Sequence, residues 1–192
     1  MEIARPPSGL LALIFCLVVI STVADARTRR PRDIVTGPAI AKDGDDIIVK
    51  GRQLRLDGID APEGKQRCEL NCKPWDCGAD AKRALDDYLR DRIVTCTIIR
   101  PHFPGRSFAT CEVDGKDLGE WIVRQGWALD HEKYSKRRYK PAEEEAKTAK
   151  RGIWQGRFLE PWKCRRVKWP PECKGIFEGC PIEPKKRPPR SK

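Results

Sequence analysis

Histidine is nearly absent: His102 and His131 are the two among 192 residues. A zinc site would therefore have to rest on cysteine, and the spacing Cys68-x3-Cys72-x4-Cys77 is loose for the paired ligands that zinc uses. Long apolar runs are scarce too. The longest, Leu10 to Ile20, is short for a membrane span. No internal repeat occurs, which sets aside solenoid and propeller arrays. The length accommodates one domain with modest extensions and not two large ones. Acidic side chains are outnumbered, 28 against 39 basic ones, for a formal charge of +11.

What is present begins with an export signal. Arg5, the apolar run and then "STVADA", with Ala24 and Ala26 in a small-x-small pattern, predict a signal peptide over residues 1–26, cut after Ala26. An uncleaved membrane anchor is the alternative, and both readings export the rest of the chain. After cleavage no stable membrane span is expected. Removing one basic and two acidic side chains raises the charge from +11 to +12. Such a surplus favours a polyanion: nucleic acid, an anionic membrane surface or an acidic polysaccharide, with bulk solubility as the plain reading. Cys16 leaves with the signal, so eight of nine cysteines remain. An even count in an exported chain predicts disulfides.

Residues 27–38 are basic and proline-containing, and read as a loose lead-in, with folded structure expected from about Ala39. "DDIIVKGRQLRLDGI" carries apolar stretches on either side of Lys50-Gly51, which predicts an antiparallel hairpin. Between Cys77 and Asp91, Ala81, Leu85, Tyr88 and Leu89 share one helical face. "RIVTCTIIR" and "RSFATCEVDGK" read as two strands, "DLGEWIVRQGWA" as a short helix ending at Gly126, and "KPAEEEAKTAKRG" as a third helix stopped by Gly152. Residues 163–192 hold ten basic and three acidic side chains with six prolines, too little to build a core. The order of elements suits an α+β fold, a small closed sheet with helices packed against it, for which an OB-type barrel is one candidate.

The chemistry gathers around the hairpin. "DGDD", Asp43 to Asp46, precedes its first strand, and Asp60 and Glu63 follow its second. Pairing the strands brings the two acidic clusters together, and converging carboxylates in a basic protein call for a hard cation such as Ca²⁺; a pair of solvated turns is the plain alternative. Arg55 on the strand that feeds the acidic loop, and Arg106 at the start of a later strand, add two guanidiniums. Beside a metal-carboxylate site they match what phosphodiester cleavage needs, charge stabilisation on phosphate oxygens. Taken singly, each is an ordinary surface cation.

With "DGDDIIV", "LRLDGIDAPE", "GR" at 105 and 106, "DLGEWIVRQGWA" and "AEEEAKTAKRGIW" in this order, the chain resembles the staphylococcal nuclease-like, or thermonuclease, family across residues 39–160. The resemblance implies an OB-type five-stranded β-barrel with three α-helices, here spanning residues 39–162, followed by the cysteine-containing basic extension 163–192. It implies that Asp45 and Asp60 are calcium carboxylates and that Ala61, where the family often has threonine, contributes its backbone carbonyl. Glu63 corresponds to the glutamate that activates or orients the attacking water, and Arg55 and Arg106 to the two phosphate-binding arginines. The chain departs from the family's Asp-x-Tyr-Gly-Arg at "HFPGR", where His102 replaces the aspartate and Pro104 a nucleotide-holding tyrosine. Tyr134 is a candidate aromatic surface; Tyr134, Tyr139 and Trp127 read equally as core or rim residues. Exported bacterial members suggest the pairs Cys96 with Cys111 and Cys68 with Cys77. The other four, Cys72, Cys164, Cys173 and Cys180, allow three pairings, and one bond from Cys72 to the tail is expected.

The expectation is thus a periplasmic or secreted monomeric enzyme, a Ca²⁺-dependent nuclease acting on DNA, RNA or both. The alternative is a catalytically weak barrel that binds nucleic acid or protein in the cell envelope.

Overall fold

Ile34–Ala41 (β1) alternates exposed and buried residues, with Val35 and Ala41 turned into the core. A computed structural model describes residues 33–102 and 105–166, so the signal segment, Phe103, Pro104 and the tail from 167 lie outside the described residues, as do Cys173 and Cys180. Strand β1 corrects the expected boundary: residues 34–38 are sheet and not lead-in, because Ile34 to Pro38 pair with Thr97 to Ile93. The basic composition ends at Arg32, and the β-branched run Ile34-Val35-Thr36 behind it suits a pleated surface.

After β1 come β2 (Asp46–Val49) and β3 (Arg52–Leu56), joined by Lys50 and Gly51 at φ of 46° and 76°. Two consecutive positive φ values are what a primed two-residue hairpin turn needs, and they match the strands' right-handed twist. Ile47, Val49, Leu54 and Leu56 point inward at 2% exposure or less. The chain continues through β4 (Ile59–Asp60), β5 (Cys68–Leu70), β6 (Lys73–Trp75) and α1 (Cys77–Leu89) to the long strands β7 (Ile93–His102) and β8 (Arg106–Val113). Each neighbour in the order β3-β2-β1-β7-β8 is antiparallel, and a parallel β3–β8 pairing closes the ring into a five-stranded barrel. Closure removes both sheet edges.

The remaining elements are β9 (Lys116–Asp117), α2 (Leu118–Arg124), β10 (Leu129–Asp130), α3 (Glu132–Ser135), α4 (Lys140–Thr148), a 3-10 turn at Gly152–Gln155, and α5 (Pro161–Cys164). The three expected helices are α1, α2 and α4, and α3 and α5 add one turn each. Helix α1 buries Ala81, Leu85 and Leu89, and each fully buried leucine contributes about 1.5–3 kcal/mol. Tyr88 stacks on Trp121 of α2 at 3.7 Å between ring centroids, which locks the two helices together. Asp117 caps α2 by accepting from the Glu120 N–H at 3.0 Å. Among the described residues no helix is long and apolar enough to cross a membrane.

Two disulfides have the expected pairing. Cys96 and Cys111 face each other across β7 and β8, and Cys68 joins Cys77. Cys72 and Cys164 are also disulfide-bonded. A second apolar cluster forms around Cys68, Cys77, Leu129 and Ile153, covered by Trp75, Trp127, Trp154, Phe158 and Trp162. Trp127 touches both clusters as a partly buried rim residue, and Tyr139 is core at 2% exposure. The second cluster carries the chain after α4 back to β5, where Glu69 and Arg157 exchange two backbone hydrogen bonds of 2.8 Å. Thus α5 comes to lie near the loop that follows β4.

Candidate active site

Strand register builds the cationic half of the site. Asp46 and Arg55 are direct partners across the hairpin, and Arg106 opens β8 opposite Gln53 of β3. The Arg55 Nε and Nη2 donate to the two Asp46 oxygens at 3.1 and 2.9 Å, and Arg106 Nη1 donates to Asp46 Oδ2 at 3.1 Å. One buried carboxylate therefore holds both guanidiniums side by side. Arg55 Nη2 also lies 3.1 Å from Asp45 Oδ1. Burial works against the charge on Arg55, but Asp45, Asp46 and Glu63 outweigh it and hold the group protonated well above its ordinary value.

Loops build the acidic half. Asp45, in the turn between β1 and β2, is 2% exposed, as is Asp60 at the end of β4. The Ala61 N–H donates to Asp45 Oδ2 at 3.4 Å, so the loop after β4 meets the β1–β2 turn directly. Gly44 permits this approach, since a Cβ there would sit 2.7 Å from that of Ala61. Glu63 is fixed from below: its N–H donates to Gln66 Oε1 at 3.3 Å and its carbonyl accepts from the Gln66 N–H at 2.6 Å. Gly78 of α1 lies so near that a Cβ would fall 1.8 Å from the Glu63 carbonyl oxygen.

Burial, then the neighbouring charges of Asp46, Asp60 and Asp43, push the Asp45 carboxyl well above the usual range although Arg55 opposes the shift. Crowded, desolvated carboxylates of this kind seek a cation, and their hard oxygens fit a hard divalent ion. Among the described residues, however, no three His, Cys, Asp or Glu side chains draw together tightly enough to enclose a metal. The cation on Asp60 is a guanidinium. Arg165, just past α5, donates through Nη1 and Nη2 to both Asp60 oxygens at 2.9 and 2.6 Å, and through Nη1 to Glu63 Oε1 at 2.6 Å.

Beside this cluster lies a cavity of about 430 Å³ whose walls include Arg55, Asp60 and Arg165 together with Arg100, Phe108, His131 and Tyr134. The Arg100 guanidinium lies over the rings of Phe108, at 4.2 Å, and Tyr134, at 4.9 Å. Tyr134 is thus an aromatic wall, 44% exposed. A larger cavity of about 900 Å³ near Trp154 and Trp162 shares His131 with it but contains none of Arg55, Asp60 or Arg106.

All six residues singled out in the sequence, Asp45, Arg55, Asp60, Ala61, Glu63 and Arg106, therefore lie in one region at the rim of the barrel. Sequence reasoning missed two others. Asp46 reads in the sequence as one more member of an acidic run and not as the clamp for both arginines, although its place opposite Arg55 follows from the Lys50-Gly51 turn. Arg165 is one of ten basic residues after position 162, and only its position next to Cys164 distinguishes it.

Residues 53–156 match the family described as Staphylococcal nuclease homologue. The succinoglycan biosynthesis protein ExoI of Rhizobium meliloti (strain 1021) is 32% identical over 162 residues, covering 82% of this chain and 83% of the relative. A probable staphylococcal-like nuclease, CAN1 of Oryza sativa subsp. japonica, is 28% identical over 65% of this chain and 36% of its own length. A probable endonuclease, LCL3 of Schizophyllum commune (strain H4-8 / FGSC 9210), is 32% identical over 61% of this chain and 44% of its own. The chain thus spans less than half of these two relatives.

Proposed function

The chain belongs to the staphylococcal nuclease homologue family, and from the geometry of its site we propose that it is an exported, calcium-dependent nuclease hydrolysing phosphodiester bonds of DNA, RNA or both. The observation that carries this reading is the Asp46 carboxylate with Arg55 and Arg106 on it, beside the buried acids Asp45 and Asp60. A guanidinium has five N–H donors. Arg106 spends one N–H on Asp46, and the pair offers a fork for phosphate oxygens.

In the reaction, Glu63 accepts a proton from water as the water oxygen bonds to phosphorus. The bond from phosphorus to the leaving sugar oxygen breaks, that oxygen takes a proton from solvent to leave as a hydroxyl, and Arg55 and Arg106 donate to the phosphoryl oxygens as negative charge grows. Calcium held by Asp45, Asp60 and the Ala61 carbonyl would supply Lewis-acid polarisation of a phosphoryl oxygen. The charge of +12 on residues 27–192 favours the polyanionic substrate. Tyr134, 44% exposed in the cavity wall, offers aromatic surface to an unpaired base. The disulfides suit an oxidising compartment, the periplasm or the exterior, and a monomer suffices for the whole constellation.

The test is cleavage of a fluorescent oligonucleotide by purified residues 27–192 in Ca²⁺ and in chelator. Cleavage abolished by chelator is expected. Tight binding without cleavage in either condition would favour the nucleic-acid-binding module instead.

A further inference from the structure

The two acids that calcium and water need are already engaged by the chain itself. We propose that Arg165 is an autoinhibitory clamp, a tethered cation that competes with a divalent ion for Asp60 and withholds Glu63 from water; this rests on the function proposed above. Three observations carry it. First, the contact is complete: one guanidinium satisfies both oxygens of Asp60, itself 2% exposed, and bridges to Glu63 with distances of 2.6 to 2.9 Å. This is the bidentate fork that makes arginine a strong carboxylate ligand. Second, a guanidinium stays protonated at any working pH, so the clamp opens by displacement and not by titration.

Third, the residue is delivered by structure. Gln66, which also holds Glu63, donates through Nε2 to the Leu159 carbonyl at 2.8 Å. The Trp162 ring lies 5.4 Å from that of His131, and Cys164, the residue before Arg165, is disulfide-bonded. Such a short tether gives the arginine an effective concentration on the order of millimolar at its target. A divalent ion must then displace the clamp to reach Asp60, and its binding frees Glu63. A phosphodiester arriving at the same moment offers the released guanidinium a new anionic partner. The predicted consequence is an enzyme held shut at low free cation.

Isothermal titration of Ca²⁺ into residues 27–192 as wild type, Arg165→Gln and Arg165→Lys tests this without any activity readout. The glutamine variant is expected to bind Ca²⁺ at least tenfold more tightly than wild type. The lysine variant, which keeps the charge but loses the fork, should fall between them, and it also serves if the glutamine variant does not fold. Equal affinity in all the folded proteins overturns the clamp and leaves the calcium assignment standing. No calcium binding by any of them overturns the calcium assignment and the clamp together, while oligonucleotide cleavage by the same samples tests the nuclease reading separately.

Discussion

The two halves of the site are built by different means. Arg55, Asp46 and Arg106 stand on strands, so once Asp46 pairs with Arg55 and Gln53 with Arg106 their positions follow from the ladder. Asp60, Glu63 and Arg165 belong to a short strand end, a loop and the residue just past a one-turn helix, and their placement depends on separate contacts: Gln66, Gly78, the Cys68–Cys77 bond and α5. A cationic half fixed by register is insensitive to distant change. An acidic half held by side chains from three segments depends on each of them.

Removing chemistry from either half should give the largest effect. Arg106→Ala should lower turnover by about 10²–10³-fold, the cost of losing one donor to developing charge. Glu63→Gln should lower it by about 10²–10⁴-fold, as loss of a general base does. Both variants should keep the circular dichroism spectrum of the parent, since Arg106 and Glu63 are partly exposed rim residues. Folded variants that cleave at the parent rate would break the assignment of both halves.

The same contrast explains what could be read from the sequence. The hairpin was legible because Lys50-Gly51 is a turn signal and the apolar alternation around it has period two. It carried Arg55 and the acidic ends with it. The faces of α1, α2 and α4 were legible for the same reason, through spacing. Residues 34–38 read as lead-in because their basic, proline-containing surroundings mask a strand whose partner lies some sixty positions away at Thr97 to Ile93. Arg165 was hidden for a different reason. Nothing local marks an arginine in a basic tail as the ligand of Asp60, 105 positions earlier.

The disulfides sharpen the comparison at an intermediate scale. In the loop-entropy picture, losing Cys96–Cys111, with a separation of 15, costs about 3 kcal/mol, and losing Cys68–Cys77, with a separation of 9, about 2.5 kcal/mol. The stability losses measured by urea denaturation should therefore be similar. Activity should differ. The double variant Cys96→Ala with Cys111→Ala keeps its ladder and most of its turnover, whereas Cys68→Ala with Cys77→Ala loosens the segment behind Glu63 and loses more. Equal activity losses would mean that the two halves are supported alike.

Gly78→Ala probes the acidic half at a single atom. The new methyl would overlap the Glu63 carbonyl, at 1.8 Å, so the loop or the start of α1 must move. Overpacking of this kind costs about 1–3 kcal/mol. A displacement of Glu63 near 1 Å would cut turnover by about 10²-fold while leaving the arginines undisturbed. Substrate affinity at high salt and low salt should then change little. A variant with parental kcat would show that Glu63 is not held by α1.

The smallest effect is expected from Asp45→Asn, and its sign is informative. Burial first, then Asp46, Asp60 and Asp43, raise the folded-state pKa of Asp45 well above its ordinary value. Between the unfolded value, about 3.9, and that raised value the folded chain binds more protons than the unfolded one. This contribution to stability is fully present below the unfolded pKa and is lost as pH rises through the folded pKa. Ionising Asp45 in chelator therefore costs stability, and asparagine, which keeps one oxygen for either Arg55 Nη2 or the Ala61 N–H but not both, removes that cost. The variant should be more stable than the parent at pH 7, and the difference should shrink toward pH 4. Calcium should reverse the order, because it stabilises the aspartate form by mass action. Urea denaturation at pH 4 and pH 7, with chelator and with Ca²⁺, gives the four values. A variant less stable than the parent at pH 7 in chelator would mean that the Arg55 ion pair outweighs the crowding, and that the acidic half, like the cationic half, is already satisfied without a metal.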